Sequence, residues 1–234
     1  NTKRQQGRVR LFETGLRFVP GAEGLAQTPT LGMVMTGDRF AESWSVESAA
    51  ADFFDLKGDL ESLRALTRAP AAFEFTAARR DALHPGQTAA ITRAGVAVGY
   101  IGTLHPSVQK ELGFSAPVYV CELELQTVLD AMLPAFAELS KFPEVRRDLA
   151  VVVDKTVPAA ELMENVREAA GVYLTELRLF DVYEGKGIDP KRKSLALGLT
   201  FRDQSRTLSD EDVNKSVDQV IDLLGKNYKA ELRN

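Results

Sequence analysis

Asp181 and Tyr183 stand two residues apart in a run, Leu179 to Asp203, that reads as two strands joined by a basic, glycine-bearing loop. On a strand that spacing puts both side chains on one face, a carboxylate beside an aromatic ring. The second strand alternates cleanly. Leu195, Leu197, Leu199 and Phe201 point one way, while Ser194, Ala196, Gly198 and Thr200 point the other. The first set makes a core wall, and the second makes a small, flat surface able to accept something planar. A carboxylate can accept hydrogen bonds from the ring N–H and exocyclic amine of guanine, a donor pair no other standard base presents on that edge. Tyr183 can stack on such a base or bond it through its hydroxyl, and Ser194 can add a third contact. Arg146, Arg147, Lys186 and Lys193 supply cations for phosphates, contacts that position without specifying. Together these residues suggest a reader of unstacked nucleic-acid bases. Periodicity alone favours a plainer reading, in which Asp181 is a solvated turn carboxylate and Tyr183 a strand-end aromatic.

Other chemistry has less support. His84, His105 and Cys121 match no zinc-ligand spacing, and no second cysteine backs them, so the expectation is no metal site. There is no nucleophile motif. The Gly185 to Gly187 turn is too short for a phosphate loop and reads as a hairpin loop whose glycines permit positive φ. A lone cysteine excludes an internal disulfide and fits a reducing compartment, hence a cytoplasmic location.

The elements around this run are legible. Leu149 to Val153 reads as a strand, and Pro158 opens a helix with Leu162, Val166 and Ala169 inward, stopping at Gly171. Strands follow at Leu174 to Tyr183 and Ser194 to Phe201. Ser209 with Asp212 resembles a capping box before a second helix whose stripe is Val213, Val217, Val220, Ile221 and Leu224. A last strand lies near Lys229 to Leu232. The order β-α-β-β-α-β is the ferredoxin-like plan, with two helices on one sheet face and the other face open.

The N-terminal portion reads as α+β. Val9 to Phe12 and Leu16 to Val19 suggest a hairpin through Glu13-Thr14-Gly15. Leu31 to Thr36 is a strand, and Ala49 to Thr67 a helix with Phe53, Leu56, Leu60, Leu63 and Leu66 inward. Strands recur at Phe73 to Thr76, Ala89 to Thr92, Val96 to Leu104 and Val118 to Leu125. Short helices are expected at Pro106 to Leu112 and Gln126 to Leu133. A link around Pro134 to Pro143 divides residues 1–138 from residues 139–234.

With 44% hydrophobic and 26% charged residues, the 234-residue chain is expected to be soluble and folded. No apolar stretch is long enough for a membrane span. The start at Asn1 looks like a cut through a larger protein. Net charge is −4, and residues 139–234 carry 16 Lys and Arg against 17 Asp and Glu. Any RNA contact must therefore use a local patch.

Four stretches resemble the ferredoxin-fold anticodon-binding domain of the bacterial phenylalanyl-tRNA synthetase β subunit. They are Phe142 to Val153, Leu179 to Gly187, Lys193 to Ala196 and Ser205 to Glu211. Asp52 to Glu61 and His84 to Gln87 resemble the domain that precedes it, a degenerate copy of the class II synthetase catalytic fold. The resemblance implies an α+β chain: residues 1–138 as a class II synthetase-like antiparallel-sheet domain that docks the catalytic α subunit, and residues 139–234 as the anticodon-binding domain. It implies that Asp181, Tyr183 and Ser194 bind the first anticodon base of tRNA(Phe), a guanine. It also implies an α2β2 heterotetramer that uses ATP and Mg²⁺ to attach phenylalanine to tRNA, with no DNA or membrane partner. The β-side editing and magnesium-binding regions would precede Asn1. An active class II site needs an arginine for the ATP α-phosphate and a second, in a glycine-rich final motif, to clamp the nucleotide. The matching segments are Arg10 to Glu13 and Val118 to Leu125, and the latter has neither glycine nor arginine. No catalysis and no bound cofactor are expected of this chain alone. Two rivals remain, a ferredoxin-like module that binds a small metabolite and a purely structural assembly protein.

Overall fold

The computed structural model describes residues 6–21, 24–133, 136, 138 and 140–233. The chain is α+β and forms two compact units, Asn1–Ala135 and Phe136–Asn234. The link expected at Pro134 to Pro143 lies partly outside the described residues.

The first unit is a six-stranded antiparallel sheet in the order β1-β2-β6-β5-β4-β3. Its strands are β1 (Arg8–Gly21), β2 (Gly24–Gly37), β3 (Phe73–Ala77), β4 (Leu83–Arg93), β5 (Val96–Leu104) and β6 (Val118–Glu124). Helix α1 (Phe53–Ala65) covers one face, packing Leu56 and Leu60 on Met35, Ile91, Ile101 and Leu123. It starts later than its apolar pattern suggests because Asp52 caps it, in a reciprocal box with Asp55. Leu66 falls beyond the helix end and is exposed. The short helices α2 (Pro106–Glu111) and α3 (Gln126–Leu129) complete the unit.

The hairpin expected through Glu13-Thr14-Gly15 does not form. β1 runs unbroken, with Gly15 opposite Thr30, and the chain reverses between Gly21 and Gly24. Gly24, where β2 begins, has φ 118°, a backbone that favours glycine, whereas Gly15 is not among the positive-φ glycines.

The second unit is a four-stranded antiparallel sheet, β10-β7-β9-β8, which is the ferredoxin-like order. Its strands are β7 (Val145–Asp154), β8 (Leu174–Tyr183), β9 (Arg192–Phe201) and β10 (Glu231–Leu232). Helices α4 (Ala159–Ala170) and α5 (Asp210–Tyr228) cover one face. Leu149, Val151 and Val153 of β7 and Leu195, Leu197, Leu199 and Phe201 of β9 meet Leu162 and Val166 of α4 and Val213, Val220 and Leu224 of α5. Each such side chain contributes about 1.5–3 kcal/mol by leaving water. α4 stops at Gly171, which has φ 72°. The Ser209–Asp212 capping box forms as its sequence suggests. Asp212 also takes Arg206 at 2.6 Å, and this hydrogen bond is the main cause holding its carboxyl well below the usual range.

Candidate nucleic-acid interface

The face of the second sheet opposite α4 and α5 is built from alternate residues of β7 and β9, and its composition depends on one irregularity in β8. Leu177 and Leu179 of β8 pair with Leu199 and Leu197, on the helix-covered side. Strict alternation would then send Asp181 and Tyr183 to that same side. A register shift between Leu179 and Asp181 prevents it, because Phe180 is an extra residue with no partner of its own. Asp181 consequently lies opposite Ala196, and Tyr183 opposite Ser194, on the open face. Asp181 is exposed and Tyr183 half-buried.

The Tyr183 ring is held by its surroundings. Its hydroxyl donates to the Lys186 carbonyl at 3.2 Å, and the Arg233 guanidinium lies 4.6 Å from the ring centroid. Arg233 follows β10, at the other edge of the sheet, where its backbone N–H donates to the Ala150 carbonyl. Its side chain therefore reaches across the sheet surface to Tyr183. Ser194, across the strand pair from Tyr183, is only 3% exposed. The structure thus brings Asp181, Tyr183 and Ser194 together, with Asp181 open to solvent and Ser194 covered.

The four cations singled out from sequence divide between the two faces. Arg146 is on the open face, with its guanidinium 3.0 Å from where a side chain on Gly198 would begin and 2.9 Å from Asp148. Lys186 is exposed in the β8–β9 turn. Arg147 and Lys193 point to the helix side. Arg147 pairs with Asp210, in the first turn of α5, at 2.6 Å. The Lys193 ammonium donates to the carbonyls of Lys155 (3.0 Å) and Val157 (2.7 Å), holding the segment that leads into α4. The sequence carried that signal, since Arg147 shares parity with Leu149, and Lys193 with Leu195. Sequence reasoning missed Arg178, which faces Gly198 on the open side and has no ion-pair partner among the described residues. It also missed Phe180, 48% exposed, and Arg233.

In the first unit, Arg10 is paired with Asp59 of α1. On β6, Glu122 accepts from Tyr100 at 2.9 Å and from Arg17 at 2.5 Å. Burial, followed by the bond to Glu122, raises the Tyr100 pKa. His105 caps α2, its Nδ1 accepting from the Ser107 N–H at 3.2 Å, and His84 Nδ1 accepts from the Gly86 N–H at 3.1 Å. Cys121 is buried, and desolvation pushes its thiol pKa up to about 12.

Comparison with known proteins agrees with both halves. Residues 1–125 match the model of the phenylalanyl-tRNA synthetase β chain CLM domain. Residues 140–233 match the ferredoxin-fold anticodon-binding domain. The chain belongs to the phenylalanyl-tRNA synthetase β-chain family. It is 51% identical over 233 residues to a phenylalanine–tRNA ligase β subunit from Pseudomonas fluorescens, covering 100% of this chain and 29% of that protein. The counterpart from Shewanella oneidensis is 47% identical over 236 residues, covering 100% of this chain and 30% of its own. The chain thus spans less than a third of the length of these relatives. A pyrrolysyl-tRNA synthetase structure from Desulfitobacterium hafniense aligns with 55% of this chain and 42% of its own, at 15% identity and a TM-score of 0.37, too slight a likeness to bear on the fold.

Arg10 is engaged by Asp59, and Val118–Glu124 contains no arginine to clamp ATP. Among the described residues no three candidate metal ligands cluster. No helix there is long and apolar enough to cross a membrane.

Proposed function

We propose that the second unit reads the anticodon of tRNA(Phe), with Asp181 accepting from the ring N–H and amine of the first anticodon base, a guanine. Tyr183 stacks on that base, and Ser194, paired with it across the strands, is the third contact. Arg146 and Lys186 hold phosphates. Arg147 and Lys193 support the fold from the other side of the sheet. The observation that carries this reading is the bulge at Phe180, which places Asp181 and Tyr183 on the open face beside the small residues Ala196 and Gly198.

The decisive measurement is binding of anticodon stem-loops that differ only in the first anticodon base. A bidentate pair discriminates by about 1–3 kcal/mol, so Asp181→Asn should weaken the guanine loop about 5- to 150-fold while leaving an adenine loop little changed. Equal losses on both loops would show that Asp181 does not read the base.

The first unit, on the same reading, docks the catalytic α subunit. Its edge strand β1 supports this by leaving Phe12 (78%), Leu16 (54%) and Phe18 (55%) exposed on one side of the strand, an apolar surface of the kind that partners cover. The complete cytoplasmic α2β2 enzyme then attaches phenylalanine to tRNA with ATP and Mg²⁺, and this chain supplies recognition and scaffolding but no chemistry.

A further inference from the structure

We propose that the open face carries a second base-stacking platform, Phe180, beside the Arg146 guanidinium and on the same face as Arg178, which holds the nucleotide next to the one read by Asp181. The proposal rests on the anticodon reading above and extends it to residues that reading does not use.

A bulge places two consecutive side chains against a single partner residue, so both leave the sheet on the same side. Phe180 and Asp181 share Ala196 in this way. The position of Arg146 confirms the direction of Phe180. Arg146 lies on the open face against Gly198, and its guanidinium is 5.7 Å from the Phe180 ring centroid. Gly198 makes room for this group, since a Cβ there would stand 3.0 Å from the Arg146 Nη2. Arg178, paired across the strands with Gly198, puts a second arginine on the same face.

The result is an exposed ring with one guanidinium beside it and a second arginine on the same face. That combination recurs where single-stranded nucleic acid is held, since every base has a π-face and every linkage a phosphate. Arg146 is partly neutralised by Asp148, whereas Arg178 has no carboxylate partner among the described residues, so Arg178 is the stronger phosphate ligand. Phe180 and Tyr183 are three residues apart, roughly 10 Å along a strand, too far for one base to lie on both rings. Two platforms with a carboxylate between them imply two neighbouring nucleotides, one of them held by stacking without hydrogen-bond readout at Phe180.

The test uses the full chain and a set of anticodon stem-loops, each made abasic at one loop position. Phe180→Ala should weaken the intact loop about 5- to 150-fold, the range one stacked base supplies, and Phe180→Tyr should restore binding. The Phe180→Ala effect should vanish on one abasic RNA, at a position adjacent to the one where the Tyr183→Ala effect vanishes. Arg178→Ala should lower affinity for every loop and reduce the salt slope by about one. An unchanged affinity for Phe180→Ala, or the same loss on every abasic RNA, overturns the second platform. If Phe180→Ala is silent while Asp181→Asn still abolishes guanine preference, only this proposal fails. If both are silent, the anticodon reading fails with it.

Discussion

Gly185 and Gly187 occupy one turn yet are required for different reasons, and alanine at each should fail differently. Gly187 has φ 92°, a conformation that costs an L-residue about 1–2 kcal/mol. Gly185 is not in that region, but a Cβ there would lie 2.7 Å from the Tyr183 hydroxyl oxygen and 2.9 Å from Cζ. Comfortable carbon contacts begin near ~3.5 Å, so the ring must move by roughly 1 Å. It then gives up the bond to the Lys186 carbonyl and the contact with Arg233. Those interactions are worth about 0.5–1.5 and about 0.5–1 kcal/mol respectively. Tyr183 is half-exposed, so water replaces the hydrogen bond and the net loss of stability stays below about 1 kcal/mol. Stacking on a misplaced ring loses far more, up to about 1–3 kcal/mol of RNA affinity. Gly185→Ala should therefore fold almost normally and bind the anticodon stem-loop poorly. Gly187→Ala should lose stability by about 1–2 kcal/mol with a smaller change in affinity. Urea denaturation followed by circular dichroism and titration of a fluorescent stem-loop measure the two quantities side by side. Native RNA affinity in Gly185→Ala would refute the argument that the placement of Tyr183 matters for binding.

Three further outcomes follow from the same geometry. Leu197→Ala, at a fully buried position between the sheet and its helices, should cost about 2–5 kcal/mol, read as a lower denaturation midpoint of the second unit. Cys121 has its thiol pKa raised by burial from 9.0 to about 12. The unfolded chain therefore ionises first, and the Cys121 contribution to stability should be complete below pH 9 and lost as pH rises toward 12; Cys121→Ala should flatten that alkaline decline. The Asp203 and Asp212 carboxyls are depressed, chiefly by bonds from Ser205 and Arg206 respectively, so their contribution is present above the ordinary value of 3.8 and lost as pH falls below it. Asp212→Asn should lessen the acid sensitivity of the second unit in a pH titration of its denaturation midpoint.

Local patterns in the sequence determined much of this protein. The alternation in β9 fixes which side chains enter the core, because strand geometry sends neighbours to opposite faces whatever the partner strand. The Ser209 box and Gly171 mark helix ends through groups only a few residues away. The order of elements gives the ferredoxin-like plan, and parity already assigns Arg147 and Lys193 to the helix side. Tertiary structure alone decided the face of Asp181 and Tyr183, since the extra residue in β8 is defined only against the shorter count of its partner β9. The same holds for the unbroken β1, whose register is set by β2, for the burial of Ser194 and for the reach of Arg233 across the sheet. Each of these depends on residues far away in the chain that become neighbours only through strand pairing, and periodicity within a single segment carries no record of its partner.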